Sequence, residues 1–291
     1  MTVKPWQHFH LSREDDLPKI TKNEEKLSQI LEELIETTGE VERSIENLAA
    51  DQGIPKRVAE ALACSLDFFP KRYQANAGTL GSEGQRKLLQ SKVLVAGLGG
   101  LGGHVVEQLV RCGVGELVGV DADNFEESNL NRQLYSDLDS IGLSKTEVAE
   151  KRVAKINDAV KFYPVTRTLE DLEDHAYDGV DLIFDCLDTI ASRLHLQEMG
   201  ERYSIPLVHG AIGGWFGQVA IVWPGSKLLS AIYGTKREGI EKIVGNPPFT
   251  PALIATLMVS EGVKFLLGMK ERESTVLFAD LLNNQWQYVT F

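Results

Sequence analysis

Three cysteines in 291 residues, none of them in a C-x-x-C pair, are too few and too scattered for a disulfide framework or a four-cysteine zinc site. Cys112 closes an apolar helical face and Cys186 closes a strand, which marks both as small buried residues. Basic excess is also missing. Thirty Lys and Arg stand against 42 Asp and Glu, a formal net charge of −12, which argues against general affinity for nucleic acid or for an anionic membrane, since both need a positive surface. No uninterrupted apolar run reaches the roughly 18 residues of a membrane helix. The start, Met1-Thr2-Val3-Lys4-Pro5-Trp6, has no apolar signal-peptide region, so the cytoplasm is the expected compartment. The 43% hydrophobic and 25% charged residues that are present make an ordinary globular composition, long enough for a main domain with an appendage.

The appendage is residues 1–70. A capping box at Thr21-Lys22-Asn23-Glu24 precedes Leu27, Ile30, Leu31, Leu34 and Ile35 at helical spacing, up to Gly39. A second helix carries Val41, Ile45 and Leu48, a third runs from about Pro55 to Leu66, and Pro70 ends the set. The turn around Leu48-Ala49-Ala50-Asp51-Gln52-Gly53-Ile54 has the look of a helix-turn-helix. However, 14 acidic residues against 8 basic ones over 1–70 disfavour DNA reading, and a helical cap for packing or dimer stability is the better expectation.

From residue 71 onward the pattern is α/β. Strand 92–96, helix 100–112, strand 116–120, helix 144–157 and strand 160–165 predict the first half of a doubly wound, Rossmann-like, mostly parallel sheet. A buried strand over Val180–Asp185, helix 190–203 and strand 206–210 continue it. Phe216–Trp223 alternates as a further strand, 251–267 is a long apolar helix, and 275–291 folds back across Asn283-Asn284 as an antiparallel hairpin.

Nucleotide chemistry enters at Gly97-Leu98-Gly99-Gly100-Leu101-Gly102, where a buried strand empties into a glycine turn that opens a helix. Gly97 allows the tight turn, Gly99 lets a phosphate approach the backbone, and Gly102 lets helix and strand pack closely. The helix N-terminus adds free N–H groups and the positive end of its dipole. Asp121, 19 residues after Gly102, stands where a ribose-binding carboxylate is expected. Beyond it, Arg132 as a bidentate fork and Lys145 as a point charge are suited to clamp a triphosphate. Asp185 and Asp188 end a strand beside the glycine loop, and Asp188 could hold Mg²⁺ against the same phosphates. Each of these has a plainer alternative: a surface ion pair for Arg132, helix-start solvation for Lys145, a helix N-cap for Asp188.

Taken together, Arg72-Tyr73, the glycine loop, Asp121-Ala122-Asp123, Ser128-Asn129-Leu130-Asn131-Arg132-Gln133, Gly142-x-x-Lys145, Asp185-Cys186-Leu187-Asp188 and Ile205-Pro206-Leu207-Val208 resemble the ThiF/MoeB family over about residues 71–270. Those proteins are relatives of the ubiquitin-activating enzymes. The resemblance implies ATP-dependent adenylation of the C-terminal glycine carboxylate of a ubiquitin-like sulfur-carrier protein ending in Gly-Gly, by a homodimer. It carries nucleotide binding onto Gly97, Gly99, Gly100, Gly102, Asp121, Asp123, Asn129, Arg132, Gln133 and Lys145, catalysis onto Arg132, Lys145 and Asp188, and Mg²⁺ onto Asp188.

Three departures qualify the resemblance. Ala75 stands where many relatives place an arginine that reaches the neighbouring subunit's phosphates, leaving Arg72 as a substitute or that contact missing. The paired C-x-x-C motifs of zinc-binding relatives are absent, so zinc is not expected. Residues 224–291 hold no cysteine for a thioester or persulfide, so adenylation is the end of what the chain does by itself. The segment 227–246, with Lys236, Arg237 and Lys242, is shorter than a full crossover loop. Competing readings are adenylation of another carboxylate, on a peptide or tRNA, a nucleotide-binding scaffold without catalysis, and an NAD-dependent dehydrogenase, which would not need the triphosphate clamp.

Overall fold

The computed structural model describes residues 22–234 and 241–291. Thr21 of the expected capping box, Lys236 and Arg237 lie outside the described residues, as does the side chain of Lys242.

An eight-stranded sheet organises the chain: β1 (Lys92–Ala96), β2 (Glu116–Val120), β3 (Lys161–Val165), β4 (Leu182–Asp185), β5 (Leu207–Gly213), β6 (Phe216–Val222), β7 (Thr275–Asp280) and β8 (Gln285–Thr290), in spatial order β3-β2-β1-β4-β5-β6-β7-β8. The five strands from β3 to β5 run parallel, and β5 to β8 form an antiparallel meander. This is the predicted α/β class with its C-terminal antiparallel strands. Pro164, which has no N–H to donate, sits in β3, an edge strand paired only with β2.

Side-chain alternation along β1 divides the core. Val93 and Val95 face one layer, with α5 (Gly102–Cys112), α6 (Lys145–Ile156) and α10 (Phe249–Leu266). Leu94 and Ala96 face the other, with α7 (Ile190–Tyr203) and α8 (Leu228–Tyr233). By length and composition α10 could cross a membrane, yet Ile254, Ala255, Met258 and Val259 are buried in the layer it shares with the sheet, so it serves as a core helix. A short α9 (Glu241–Val244) precedes it.

Three helices stand N-terminal to the sheet: α1 (Lys22–Thr38), α2 (Val41–Gln52) and α3 (Lys56–Ser65). They bury Leu27, Leu31, Ile35, Ile45, Leu48 and Leu62 among themselves. The cap is not loosely tethered. Ala61 and Cys64 of α3 pack with Tyr73 and Leu89, Arg57 pairs with Glu116, and Lys56 and Arg72 both pair with Asp158, at 2.9 and 2.7 Å. Leu89 belongs to α4 (Ala77–Gln90), a helix the sequence pattern did not reveal. Gly78, Gly81 and Gly84 make this stretch a poor helix former by propensity, and Gly81, at φ 67, kinks it. Burial of Gln85, Leu88 and Leu89 holds it helical.

Candidate active site

Two glycines shape the loop after β1. Gly97 has φ +88, and a Cβ there would lie 2.8 Å from the Cys186 carbonyl oxygen; at Gly102 it would lie 1.8 Å from the Gly97 carbonyl oxygen. Neither position tolerates a side chain, so the loop folds tightly and α5 begins directly behind it. Gly97, Gly99, Gly100 and Leu101 then form one wall of a cleft of about 310 Å³.

Asp121, just past β2, braces that wall. Its Oδ2 accepts from the Leu98 N–H at 2.7 Å and its Oδ1 from the Asp123 N–H at 2.9 Å. Burial raises the Asp121 carboxyl above its ordinary value, while the Lys145 charge and the two backbone N–H groups pull the other way. Lys145 lies within reach because the 121–145 loop closes on itself through bridges between Asn124 and Ser144 and between Phe125 and Ile141. Its buried ammonium donates to Asp123 Oδ2 at 2.8 Å and lies 3.7 Å from Asp121 Oδ1.

Arg132 comes from the same loop. Its guanidinium donates to the Ser128 carbonyl and to Asn131 Oδ1, at 3.0 and 2.8 Å, and its side chain runs along Gly100. The structure gives it no carboxylate partner among the described residues, so the plain surface ion pair is not what holds it. Gln133 is buried beside Gly99, and its Oε1 has no hydrogen-bond partner among the described residues. Across the cleft, Asp188 is exposed and lines the opening with Leu187 and Cys186. Burial holds the Cys186 thiol well above its ordinary value, which disfavours the thiolate.

Two polar side chains near the loop are engaged within the chain. Asn129, expected on a phosphate, has partners within the loop: its Oδ1 accepts from the Glu126 N–H at 3.1 Å in a capping box and its Nδ2 donates to Ser128 Oγ. A buried amide must satisfy its own polar atoms, and here it builds the turn whose carbonyl receives the Arg132 and Gln133 N–H groups. Asp185 ends β4 opposite Ala96, beside the glycine loop, and is fully buried and bonded to His209 Nδ1 at 2.7 Å. Arg72 is engaged with Asp158, Glu60 and Asn157, which occupies it within its own chain.

Arg193, Arg167, Glu170 and Asn246, all on the cleft wall, are not singled out by any motif in the chain. Arg193 lies one turn into α7, behind the Thr189 N-cap, a position that no motif spacing marks. Among the described residues no group of three or more His, Cys, Asp or Glu forms a cage for a metal ion. Mg²⁺ does not require one, because it is usually held by one or two carboxylates together with substrate phosphates.

The ThiF family model matches residues 73–291. SAMP-activating enzyme E1 of Haloferax volcanii is 32% identical over 221 residues, 73% of this chain and 81% of that protein. The sulfur carrier protein adenylyltransferase of Thermus thermophilus is 31% identical over 230 residues, 72% of this chain and 82% of its own length. Among solved structures, Escherichia coli MccB with ATP superposes at a TM-score of 0.62 over 84% of this chain and 82% of its own, with 18% identity; at that identity the likeness concerns the fold alone. With a family match that takes in the sheet, the glycine loop and the cleft beside it, the chain belongs to the ThiF family.

Proposed function

We propose that this adenylyltransferase activates the C-terminal glycine carboxylate of a ubiquitin-like sulfur-carrier protein ending in Gly-Gly. The observation that carries the reading is the convergence of Arg132, Lys145 and Asp188 with the glycine loop on one cleft. The relatives named as sulfur-carrier adenylyltransferases support the substrate class.

In this reading the ATP phosphates lie on Gly97, Gly99, Gly100 and Gly102 at the N-terminus of α5, which favours anions. Asp121, with Asp123, faces the ribose. The carrier carboxylate attacks the α-phosphorus; a new carboxyl oxygen–phosphorus bond forms, the bond to the bridging oxygen breaks, and pyrophosphate leaves with that electron pair. Arg132 and Lys145 meet the charge that grows on the α-phosphate, and Gln133 offers its amide beside Gly99. Preorganised cations in a sheltered cleft are worth more than the same charges in water. Mg²⁺ on Asp188, when bound, neutralises phosphate charge. No protein nucleophile takes part. An extended Gly-Gly tail would reach the cleft past β5 and β6, along the segment that follows them. Residues 71–291 form the adenylation unit, the preceding helices its cap, and the enzyme works as a cytoplasmic homodimer.

The test is ATP–pyrophosphate exchange that depends on a carrier ending in Gly-Gly. Exchange with such a carrier, abolished by Asp188→Ala, is the expected result. Silence with every such carrier, or full exchange by that variant, refutes the reading.

A further inference from the structure

His209 on β5 and Tyr233 at the end of α8 lie outside the cleft wall, yet a closed ring of hydrogen bonds joins them to it. His209 Nδ1 meets Asp185 Oδ2 at 2.7 Å, and His209 Nε2 meets the Tyr233 hydroxyl at 3.1 Å. The Tyr233 oxygen accepts from Arg193 Nη1 and, at 3.3 Å, from Gln218 Nε2. Arg193 Nε and Nη2 donate to the Leu187 carbonyl at 3.1 and 2.6 Å. The ring closes where the Leu187 N–H donates to Asp185 Oδ1 at 3.2 Å.

One proton arrangement satisfies these contacts: Nδ1–H donates to the carboxylate, and Nε2 accepts from the tyrosine hydroxyl and, at 3.0 Å, from Gln218 Nε2. Burial holds the His209 imidazole below its ordinary value against the upward pull of Asp185, in keeping with that neutral form. His209 and Asp185 are fully buried and Arg193 is 7% exposed, so any member left unpaired carries a desolvation cost that water does not relieve.

Both backbone polar groups of Leu187 are thus held, its N–H by Asp185 and its C=O by Arg193, and the next residue is Asp188. We infer that Tyr233 and His209 are positioning residues, which lock the Arg193 guanidinium against the Leu187 carbonyl and so fix where Asp188 enters the cleft. Tyr233 belongs to the connection between β6 and α10, far along the chain from β4. Placement of α8 thereby becomes a condition for a competent cleft. This rests on the proposed role of Asp188.

The experiment is Tyr233→Phe in the full chain, which keeps the ring and removes only the hydroxyl. Residues that orient a metal-binding carboxylate typically change metal affinity or activity by about 10–100-fold when altered. The expected result is therefore a fall in kcat for exchange and a rise in the half-saturating Mg²⁺ concentration, each of at least about tenfold. Binding of ATP in EDTA, followed by calorimetry, stays at the wild-type level. A purely structural role would instead lower the melting temperature and weaken all three readouts together. Arg193→Lys keeps a positive charge without the fork that spans Leu187 and Tyr233; it should show the same split, and it decides the matter where Tyr233→Phe does not fold. Wild-type kcat and wild-type Mg²⁺ dependence in the variant overturn the inference. Absence of exchange in the wild-type protein counts against the proposed function instead, and the Mg²⁺ dependence of ATP binding in wild type and variant then decides the positioning role.

Discussion

Lys145→Gln separates a catalytic cation from a strut, because the structure gives Lys145 both possible occupations. Its side chain is 7% exposed, 2.8 Å from Asp123 and 3.7 Å from Asp121. Through an effective dielectric of about 20, a unit pair at the longer distance interacts by roughly 4.5 kcal/mol before solvation is counted. Most of that is offset by taking both charges out of water. Asp123 is 71% exposed, so its contact with Lys145 adds no more than about 1 kcal/mol. Lys145→Gln, however, leaves the Asp121 carboxylate buried with only its two backbone N–H donors, so the expected loss of stability is about 3 kcal/mol, or roughly ten degrees in Tm for a chain of this size. Losing one preorganised charge partner of the transition state costs a separate amount, about 3–4 kcal/mol of barrier, or 100–1000-fold in kcat. Carrier-dependent ATP–pyrophosphate exchange reads the second quantity and thermal melting by circular dichroism reads the first. Lys145→Arg should recover the melting temperature and only part of the rate, since a planar fork does not replace a point charge. A Lys145→Gln enzyme that exchanges within about threefold of wild type, less than 1 kcal/mol in barrier, while melting lower would show that Lys145 only braces Asp121.

Gly102→Ala places a methyl 1.8 Å from the Gly97 carbonyl oxygen, a backbone atom that no rotamer change can clear, whereas a Cβ at Gly100 meets its nearest neighbour at 3.6 Å. We expect Gly102→Ala to lose ATP binding in calorimetric titration and Gly100→Ala to keep its fold and melting temperature; equal ATP affinity in Gly102→Ala and wild type would refute the packing argument. Acid should loosen the helical cap and the α5–α6 contact. Burial raises the carboxyls of Asp158 and Glu107, but Lys56 and Arg72 on the first, and Arg152 and Arg111 on the second, outweigh it and hold both below their ordinary values. Depressed carboxyls contribute stability that is complete above their unfolded values and lost as pH falls through the folded ones. Glu60, raised by burial, works in the opposite sense and offsets part of the loss. Urea midpoints should begin to fall below about pH 6.5, where the unfolded chain protonates His104 and His209 while burial holds the folded imidazoles neutral, and should fall more steeply below about pH 4.5 as the paired carboxyls protonate. The Glu107→Gln, Asp158→Asn double variant should lose much of that slope, and an undiminished slope would contradict the assignment.

Local chemistry along the chain determined the sheet and the turn at its centre. Apolar runs bounded by glycine and proline marked the strands, the 190–203 helix falls at its predicted limits, and the glycine spacing located the loop because only glycine fits where a Cβ would strike a carbonyl oxygen. Such signals are intrinsic to a few neighbouring residues. Tertiary packing decided the rest. The glycine-rich stretch 77–90 is helical because its buried side demands it, against its propensity. Asn129 and Asp185 carry the right chemistry for a ligand, but buried polar atoms take whatever partner lies nearest, and here those partners are the Glu126 N–H and His209. Arg193 and Tyr233 meet only because α7 and α8 pack on the same face of the sheet. Spacing along a sequence reports what a residue could bind; which residues face one cleft is set by contacts between segments far apart in the chain.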